Sequence, residues 1–417
     1  MSTKTTWLEQ IETPCAIIDI RALDTNIKAL IKEVKSVEET LAYRVMVRPH
    51  FKAHKCPEIA LRQLEIGGAY TTGITAQKVN EVEALVASGV GDILLSNEVV
   101  CKKKLRRLAA LAAGRIVTQI NSYTPKGETN FYQAPEPISG LRIITLVVDD
   151  AEACADASAA AMAEGVVLNI LIDIDVGQNR CGVSSPEEAV ALARYVSSLP
   201  GLSLKGIQAY HGSSQHVRSE AERREIVTNV ATAASNVRDL IQAAGLCCDI
   251  ISGGGTGTVL HDLASRVFTE VQCGSYALGD VDYAKNSGGF RIEPALYLAT
   301  SVMSVRPNSW IVVDAGLKCQ SVDSGPPLFM CYGDDFIENG CLPEGAGTSL
   351  IVTSVSDEHT TLKKVDGNND FMLPTRKKVL LLQPGHVDPF MNHYSSCYVI
   401  DGPNLIGEWI INRNPGH

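Results

Sequence analysis

This sequence of 417 residues lacks the features that define several common classes of protein. It has neither the dinucleotide-binding pattern G-x-G-x-x-G nor the P-loop pattern G-x-x-x-x-G-K-[ST], which argues against the best-known nucleotide sites. No apolar run approaches the ~18–20 residues needed to cross a bilayer. The first residues contain no apolar segment of the kind found in secretory signals. We therefore expect a cytoplasmic protein without a membrane partner.

The sequence also has no excess of basic side chains. Its 37 Lys and Arg residues face 47 Asp and Glu residues, for a net charge of −10, which argues against a nucleic-acid partner. The 12 cysteines form no C-x-x-C pair, so a thiolate zinc site is not expected. Those inside apolar segments are predicted to be buried, reduced thiols: Cys15, Cys154, Cys181 and Cys397.

What the sequence does contain is a long alternation of short β-branched runs and helical segments, from about Ala42 to Tyr276. Ser185 and Pro186 provide a helix start, and Gln77–Ala87 has one apolar face. Seven or more such β–α units predict a parallel sheet, and about eight would close a TIM-type barrel; an open doubly wound sheet is the alternative. The predicted strands are Tyr43–Val47, Ala69–Thr72, Asp92–Leu95, Ile143–Val148, Asn169–Ile174, Leu204–Ala209 and Asp249–Ile251.

After about Gly289 the pattern changes to β-rich segments separated by turns, which predicts a second, mainly antiparallel domain. The irregular stretch Asn121–Gly140 contains three prolines and is predicted to be an inserted surface excursion. The strands expected in the second domain are Ser301–Val305, Trp310–Val313, Leu350–Val355, Lys378–Leu382 and Tyr398–Ile400.

The densest group of reactive side chains follows the first predicted strand of the barrel. Arg48, His50, Lys52 and His54 come directly after Tyr43–Val47. In a barrel, side chains at the carboxyl ends of strands line the active site. Burial beside other cations is expected to lower the pKa of Lys52 and make it a usable Schiff-base amine. A basic surface loop is the alternative interpretation.

Two glycine–hydroxyl segments predict an anion site. Ser252–Thr258 contains four glycines and follows the strand Asp249–Ile251, and Gly274, Ser275 and Tyr276 follow the next strand. Backbone amides in such loops can close on an anion. Phosphate sites in TIM barrels are often built by the loops after the last two strands, so this position favours a phosphate over a merely flexible turn.

Three further groups follow predicted strands. Asp173 and Arg180 belong to one, and Tyr210 and His216 belong to the next, where an aromatic ring could cover a flat ligand and a histidine could move protons. A structural ion pair is the alternative for the first of these groups.

The third group, His386 and Asp388, follows the predicted strand Lys378–Leu382. On an extended segment the two side chains would point to the same side. An imidazole with a carboxylate suits Mn²⁺, Mg²⁺ or Zn²⁺.

Together these segments resemble a family of enzymes dependent on pyridoxal 5′-phosphate (PLP), of fold type III. The family contains D-threonine aldolases, D-3-hydroxyaspartate aldolases and eukaryotic-type D-serine dehydratases. The resemblance runs from Thr13 to Asp388, and its segments are Thr13–Asp19, Arg48–Lys52, Asp92–Glu98, Asp175–Gly182, Tyr210–His216, Ser252–Thr258, Gly274–Tyr276, Asp314–Lys318, Ser356–His359 and His386–Asp388.

The resemblance implies an α/β protein with an alanine-racemase-like TIM-type (β/α)8 barrel followed by a mainly antiparallel β domain. The barrel would span residues 20–285. Residues 1–19 and 286–417 would form the β domain and carry the metal site. Such enzymes are usually homodimers with active sites at the subunit interface.

The resemblance also implies a role for each site residue. Lys52 would bind PLP, Arg180 would lie near the phenolic oxygen of its ring, and Tyr210 would orient the ring. Gln272 would face the pyridine nitrogen, and a neutral amide there is expected not to keep that nitrogen protonated. His386 and Asp388 would hold the metal. The phosphate would be held by Gly254, Gly255, Thr256, Gly274, Ser275 and Tyr276.

Asp388 decides between the members of the family. The dehydratases typically have cysteine at this position, where a thiolate suits zinc, whereas the aldolases have aspartate, which suits Mn²⁺ or Mg²⁺. The sequence therefore favours cleavage of a D-β-hydroxy amino acid to glycine and an aldehyde, with Lys52 and His216 as the catalytic residues. The alternatives are a dehydratase that forms a 2-oxo acid and ammonia, and a non-catalytic PLP-binding protein.

Overall fold

The computed structural model describes residues 6–117, 131–138, 140–347, 349–365 and 372–413. Its helices, numbered in chain order, are α1 (Ile20–Leu41), α2 (Pro57–Gly67), α3 (Val79–Ala87), α4 (Lys102–Ala112), α5 (Ala151–Glu164), α6 (Pro186–Ser198), α7 (Glu220–Ala243), α8 (Val259–Ser265), α9 (Val281–Ala284), α10 (Gly333–Asn339) and α11 (Val387–Met391).

Its strands fall into two main sheets and one short hairpin. They are β1 (Cys15–Asp19), β2 (Met46–Val47), β3 (Ile74–Ala76), β4 (Asp92–Leu95), β5 (Arg115–Val117), β6 (Phe131–Gln133), β7 (Ile143–Val148), β8 (Leu168–Asp173), β9 (Leu202–Ala209), β10 (Ile250–Gly253), β11 (Glu270–Val271), β12 (Leu296–Arg306), β13 (Trp310–Val313), β14 (Leu328–Tyr332), β15 (Leu350–Val355), β16 (Thr360–Lys364), β17 (Val379–Gln383), β18 (Ser396–Asp401) and β19 (Asn404–Ile410).

The first sheet is the predicted barrel. Within the described residues its eight strands lie in the order β2-β11-β10-β9-β8-β7-β4-β3, and all neighbouring strands in this order are parallel. The two ends of this order meet, because the Thr72 amide donates to the Val47 carbonyl at 3.1 Å and the Thr75 amide donates to the Pro49 carbonyl at 2.8 Å. The predicted (β/α)8 barrel is therefore confirmed, and the open doubly wound sheet is wrong.

Buried polar groups hold the closing strands together. The Arg48 guanidinium, 3% exposed, contacts Glu270 and Asp92 at 2.8 Å each and so links β2, β11 and β4. The two carboxylates raise the pKa of Arg48 above its ordinary value against the opposing effect of burial. Arg48, which belongs to the basic segment singled out in the sequence, thus stabilises the barrel and does not line the site described below.

The second sheet is mixed and mainly antiparallel, as the sequence predicts. Its main path is β15-β16-β13-β12-β1-β18-β19, and β17 joins it between β12 and β14. Strand β1, the first of the chain, pairs antiparallel with β12 and parallel with β18. The chain therefore passes through this sheet before it enters the barrel through α1, whose Asp19 cap accepts a hydrogen bond from the Arg21 amide.

Most predicted elements match the structure, with instructive exceptions. Ser185 caps α6 by accepting from the Glu188 amide at 3.2 Å, as predicted. The strand predicted at Ala69–Thr72 is wrong, because Gly68–Tyr70 forms a 3-10 turn and β3 starts only at Ile74.

The stretch Asn121–Gly140 lies mostly outside the described residues. Cys15, Cys154 and Cys397 are buried as predicted, but Cys181 is only half-buried.

No helix among the described residues combines the length and the apolar character that a membrane crossing requires.

One buried histidine predicts a loss of stability in acid. His54 is fully buried, accepts from the Cys56 amide at 3.2 Å and contacts Gln63 at 3.3 Å. Burial lowers its pKa from 6.5 to about 4. The unfolded chain therefore binds a proton that the folded chain does not bind between these values, and about 3 kcal/mol of stability is lost as pH falls from 6.5 to 4. Urea unfolding at pH 7 and pH 5 should show the part of this loss that falls above pH 5, about 2 kcal/mol, for the wild type and less of it for His54→Asn.

Candidate active site

Most of the predicted site residues surround one cavity of about 120 Å³ at the mouth of the barrel. The carboxyl ends of β2, β9, β10 and β11 reach this cavity, and α11 of the second sheet packs against the turn Phe51–Ala53 beside it. Its lining includes ten of the predicted residues: Lys52, Tyr210, His216, Gly255, Thr256, Gln272, Gly274, Ser275, His386 and Asp388. Three predicted residues, Arg180, Gly254 and Tyr276, do not line it.

Lys52 lies in a 3-10 turn directly after β2, and this turn is capped by His50, whose Nδ1 accepts from the Lys52 amide at 3.4 Å. Burial lowers the pKa of Lys52, but Tyr210 and Asp388 raise it by more. The expectation of a lowered pKa is therefore wrong. The neighbouring cation Arg180 acts in the expected direction, but the Tyr210 phenol and the Asp388 carboxylate, both predicted to belong to this site, outweigh it.

The two glycine–hydroxyl segments form one wall of the cavity. Thr256 and Ser275 are 4% and 5% exposed, and the Tyr276 amide donates to Thr256 Oγ1 at 3.2 Å, which joins the segments. In the described structure, the backbone amides of Thr256, Gly274 and Ser275 donate to no protein acceptor. Buried amides of this kind need a partner, and an anion in the cavity would supply it.

A buried carboxylate that sequence reasoning missed shapes this wall. Asp262 accepts from the Gly255 amide at 3.1 Å and from the Thr258 hydroxyl at 2.7 Å. Burial raises its pKa to about 6. Gly254 has φ +66°, and a Cβ there would lie 2.5 Å from the Asp262 carboxylate, so this position requires glycine. Gly254 therefore packs against Asp262 and does not line the cavity.

The side walls carry the aromatic and amide groups. Two cations lie near the Tyr210 ring, with Lys52 Nζ 5.9 Å and the Arg180 guanidinium 5.6 Å from its centroid. Arg180 itself is exposed. The Tyr276 ring is buried in the core, where its hydroxyl accepts from Gln63 at 3.2 Å, so only its backbone belongs to the anion wall. Gln272 is 4% exposed and lines the cavity floor.

His216 is held at the cavity by a carboxylate. Its Nδ1 lies 2.5 Å from Asp282 Oδ2, and Asp282 also pairs with Arg218. Burial opposes ionisation of Asp282, but its hydrogen bonds with His216 and Arg218 lower its pKa below the ordinary value. Since Asp282 accepts at Nδ1, Nε2 of His216 is left as an acceptor. Asp282 lies 66 residues from His216, and no pattern in the sequence links the two residues.

His386 and Asp388 both line the cavity, but not by the geometry expected from the sequence. His386 is the extended cap residue of α11 and Asp388 lies in its first turn, so the prediction of an extended segment was wrong. Val387 donates its amide to Asp280 at 3.0 Å, which anchors the start of this helix. His386 Nδ1 lies 2.8 Å from Asp323. That contact leaves Nε2 as a potential metal ligand, in the arrangement typical of metal-binding histidines.

A second group of potential ligands lies outside the cavity. Among the described residues, Glu98, Asp149 and Cys181 bring their ligand atoms within 4.8 Å of one another. Asp149 also borders a surface groove of about 470 Å³ between the start of α5 and α6. Neither this groove nor the three-residue group lines the cavity of Lys52, so neither is part of the site.

Comparison with known proteins agrees with this fold. Residues 132–282 match the alanine racemase N-terminal domain, and residues 295–400 match a putative serine dehydratase domain. The chain is similar in structure to D-threonine aldolase from Filomicrobium marinum, with a TM-score of 0.80 and 31% identity, over 96% of this chain and 95% of that one. Fold and site together define an alanine-racemase-like protein of the PLP-dependent fold-type III class.

The sequence relatives define the family more closely. The chain is 36% identical to D-threonine aldolase from Arthrobacter sp., over 94% of this chain and 90% of the relative. It is also 36% identical to 3-hydroxy-D-aspartate aldolase from Paracoccus denitrificans, over 92% and 87%. D-threo-3-hydroxyaspartate dehydratase from Delftia sp. is 26% identical over 90% of each chain. The chain belongs to the family of D-threonine and 3-hydroxy-D-aspartate aldolases.

Proposed function

We propose that this protein is a PLP- and metal-dependent lyase that cleaves D-β-hydroxy amino acids of the D-threonine type to glycine and an aldehyde. The single observation that carries the proposal is the shared cavity. A half-buried lysine, a wall of amides without a protein acceptor and a histidine–carboxylate pair all line the same cavity of about 120 Å³. The barrel would be residues 20–285, and residues 1–19 with 286–417 would form the domain that carries the metal.

The residues present fit PLP. Thr256, Gly274 and Ser275 offer buried amides without a protein acceptor, which suits a phosphate, and Lys52 lines the same small cavity. When bound, PLP would accept the electron pair of the bond that breaks at the substrate's Cα. Tyr210, whose ring lies near both Lys52 and Arg180, would pack against the cofactor and orient it.

The donor set also fits a divalent metal at His386 and Asp388, for which Mn²⁺ or Mg²⁺ is proposed and Zn²⁺ is the alternative. Asp323 would fix the tautomer of His386 so that Nε2 binds the ion. A metal at this position would lower the pKa of the substrate's β-hydroxyl.

Two side chains of this protein would then move protons. His216 Nε2 would accept the proton of the β-hydroxyl, while Asp282 stabilises the imidazolium through Nδ1. Loss of that proton allows the Cα–Cβ bond to break and the aldehyde to leave. Lys52, whose pKa is raised by Tyr210 and Asp388 against burial, would return a proton to Cα to give glycine.

Elimination of the β-hydroxyl is the second candidate, and the dehydratase relative is its support. In that reaction Lys52 would remove the proton from Cα, and hydroxide would leave. Aspartate at position 388 favours the aldolase, because a carboxylate is a harder ligand than the thiolate expected in a dehydratase. The active unit of either enzyme is proposed to be a homodimer.

Incubation with D-threonine distinguishes the two reactions. We expect acetaldehyde and glycine in equal amounts, and little 2-oxobutanoate or ammonia. Both pairs of products can be measured in one sample, with L-threonine as the control for stereochemistry. Production of 2-oxobutanoate and ammonia would instead establish the dehydratase, and no product from any D-β-hydroxy amino acid would favour a non-catalytic PLP-binding protein.

A further inference from the structure

A line of buried hydrogen bonds runs beneath the cavity from Asp173 to Gln272. Gln208 Nε2 donates to Asp173 Oδ1 at 3.0 Å, and Gln272 Nε2 donates to Gln208 Oε1 at 3.2 Å. Gln272 Nε2 also donates to Ser252 Oγ at 2.8 Å. All four side chains are at most 5% exposed. Each amide side chain donates through its NH₂ group and accepts through its carbonyl oxygen. The hydrogen bonds along the line therefore all point the same way, from donor to acceptor toward Asp173.

The strand register of the barrel brings these side chains together. Asp173 of β8 pairs with Gln208 of β9, and Gln208 pairs with Ser252 of β10. Gln272 follows β11, the next strand of the sheet. The four side chains therefore come from neighbouring positions on consecutive strands, and the closed barrel fixes their order.

Asp173 determines the direction of the line. An ionised carboxylate only accepts hydrogen bonds, so Gln208 must turn its NH₂ group toward Asp173 and its carbonyl oxygen toward Gln272. Gln272 must then turn its NH₂ group toward Gln208. Rotation of either amide by 180° would bring two acceptor oxygens together in a buried place, which is costly.

Protonation of Asp173 does not reverse this order. Burial raises its pKa to about 8, and a hydrogen bond from Gln208 opposes this effect while one with Glu98 adds to it. A carboxylic acid carries its proton on one of its two oxygens, so Asp173 with a proton on Oδ2 still offers Oδ1 as an acceptor for Gln208. Arg180 acts on Asp173 in the opposite sense, because its positive charge favours the ionised form.

The direction of these hydrogen bonds determines which group Gln272 presents to the cavity. Both hydrogens of the Gln272 NH₂ group are used by Gln208 and Ser252, and in the described structure Gln272 Oε1 accepts from no donor. Gln272 lines the cavity, so it offers a hydrogen-bond acceptor there and no donor. A cofactor atom that forms a hydrogen bond with Gln272 Oε1 must therefore be the donor.

We propose that Asp173, Gln208 and Gln272 form a positioning relay that keeps the pyridine nitrogen of bound PLP protonated. On the edge of the PLP ring, the nitrogen becomes a donor when it is protonated, whereas the phosphate and an ionised phenolic oxygen only accept. The relay reverses the expectation that a neutral amide at Gln272 leaves the nitrogen unprotonated. This inference rests on the proposed function only in so far as PLP binds in the cavity.

The protonation state can be measured without turnover. PLP labelled with ¹⁵N at the ring is bound to the holoprotein, and the ¹⁵N chemical shift is followed across pH. A hydrogen bond to a charged donor corresponds to about one to two pKa units. We expect a protonated ring nitrogen at neutral pH in the wild type. In Asp173→Asn, where the amides can rotate, the pKa of the nitrogen should fall by about one to two units.

Matched variants separate this relay from a general effect of mutation. Gln272→Glu always offers an acceptor, so it should keep the nitrogen protonated and restore protonation when combined with Asp173→Asn. Ser252→Ala removes a contact but leaves the direction set by Asp173, and it should behave like the wild type. His50 and Lys52 also line the cavity, and they are unchanged in every variant.

The outcomes that overturn the inference are distinct. An unprotonated nitrogen in the wild type, or an unchanged pKa in Asp173→Asn, contradicts the relay but leaves the proposed function intact. If the wild type takes up no PLP, both fail. Should Asp173→Asn not fold, as judged by circular dichroism, Gln272→Leu removes the acceptor itself, and the same fall in pKa is expected.

Discussion

Lys52→Ala should abolish the visible absorbance of lysine-bound PLP and reduce turnover of D-threonine by at least about 10²–10⁴-fold, the usual contribution of a positioned acid or base. Lys52 would both bind the cofactor and return a proton to Cα, so one substitution removes two functions. The measurements are the absorbance spectrum after PLP is added and dialysed away, and the rate of acetaldehyde formation.

Lys55→Met is the matched control for this substitution. Lys55 is three residues away, but its Nζ bonds to Asn392 at 2.9 Å, and it does not line the cavity. We expect Lys55→Met to retain the visible absorbance and most of the turnover. If Lys52→Ala kept a dialysis-resistant absorbance, another amine would bind the cofactor and the proposed site would be wrong.

The barrel could be predicted from sequence because its longer strands are continuous apolar runs between helix signals. β4 and β7 have the predicted ends, Asp92–Leu95 and Ile143–Val148. The short strands could not be predicted in this way. β11 contains only Glu270 and Val271, too few residues to show a periodicity, and its place depends on pairing with β2 and β10.

The site was predictable where a residue lies in a recognisable segment, and unpredictable where its role depends on a distant partner. Gly255, Thr256 and Ser275 fall in glycine–hydroxyl segments and line the cavity. Asp282 and Asp323 are single acidic residues whose importance comes only from contact with His216 and His386.

The same limit explains the error in the pKa of Lys52. The basic residues around it are visible in the sequence, because Arg48, His50 and His54 are its neighbours along the chain. In the structure Arg48 is paired with carboxylates, and burial lowers the pKa of both histidines, so both favour the neutral form. The groups that raise the pKa of Lys52, Tyr210 and Asp388, come from distant parts of the chain.

Removal of the metal should abolish cleavage while PLP stays bound. A chelator, or Asp388→Ala, is expected to lower turnover by about 10²–10⁴-fold, because a metal ion contributes several kcal/mol of stabilisation to the developing negative charge. The visible absorbance should remain, since Lys52 is intact. The measurements are acetaldehyde formation before and after Mn²⁺ or Mg²⁺ is restored to the chelated protein, together with metal content.

Three variants would locate the metal within the molecule. Asp323→Asn removes the partner of His386 Nδ1 and should weaken metal affinity by about 10–100-fold without abolishing binding. Asp388→Cys should shift the preference toward Zn²⁺, because a thiolate is a softer ligand. Cys181→Ser changes the other ligand group, outside the cavity, and should leave the metal requirement unchanged. A metal requirement lost in Cys181→Ser but kept in Asp388→Ala would place the ion at Glu98 and Asp149, and would remove the β-hydroxyl activation on which the proposed cleavage depends.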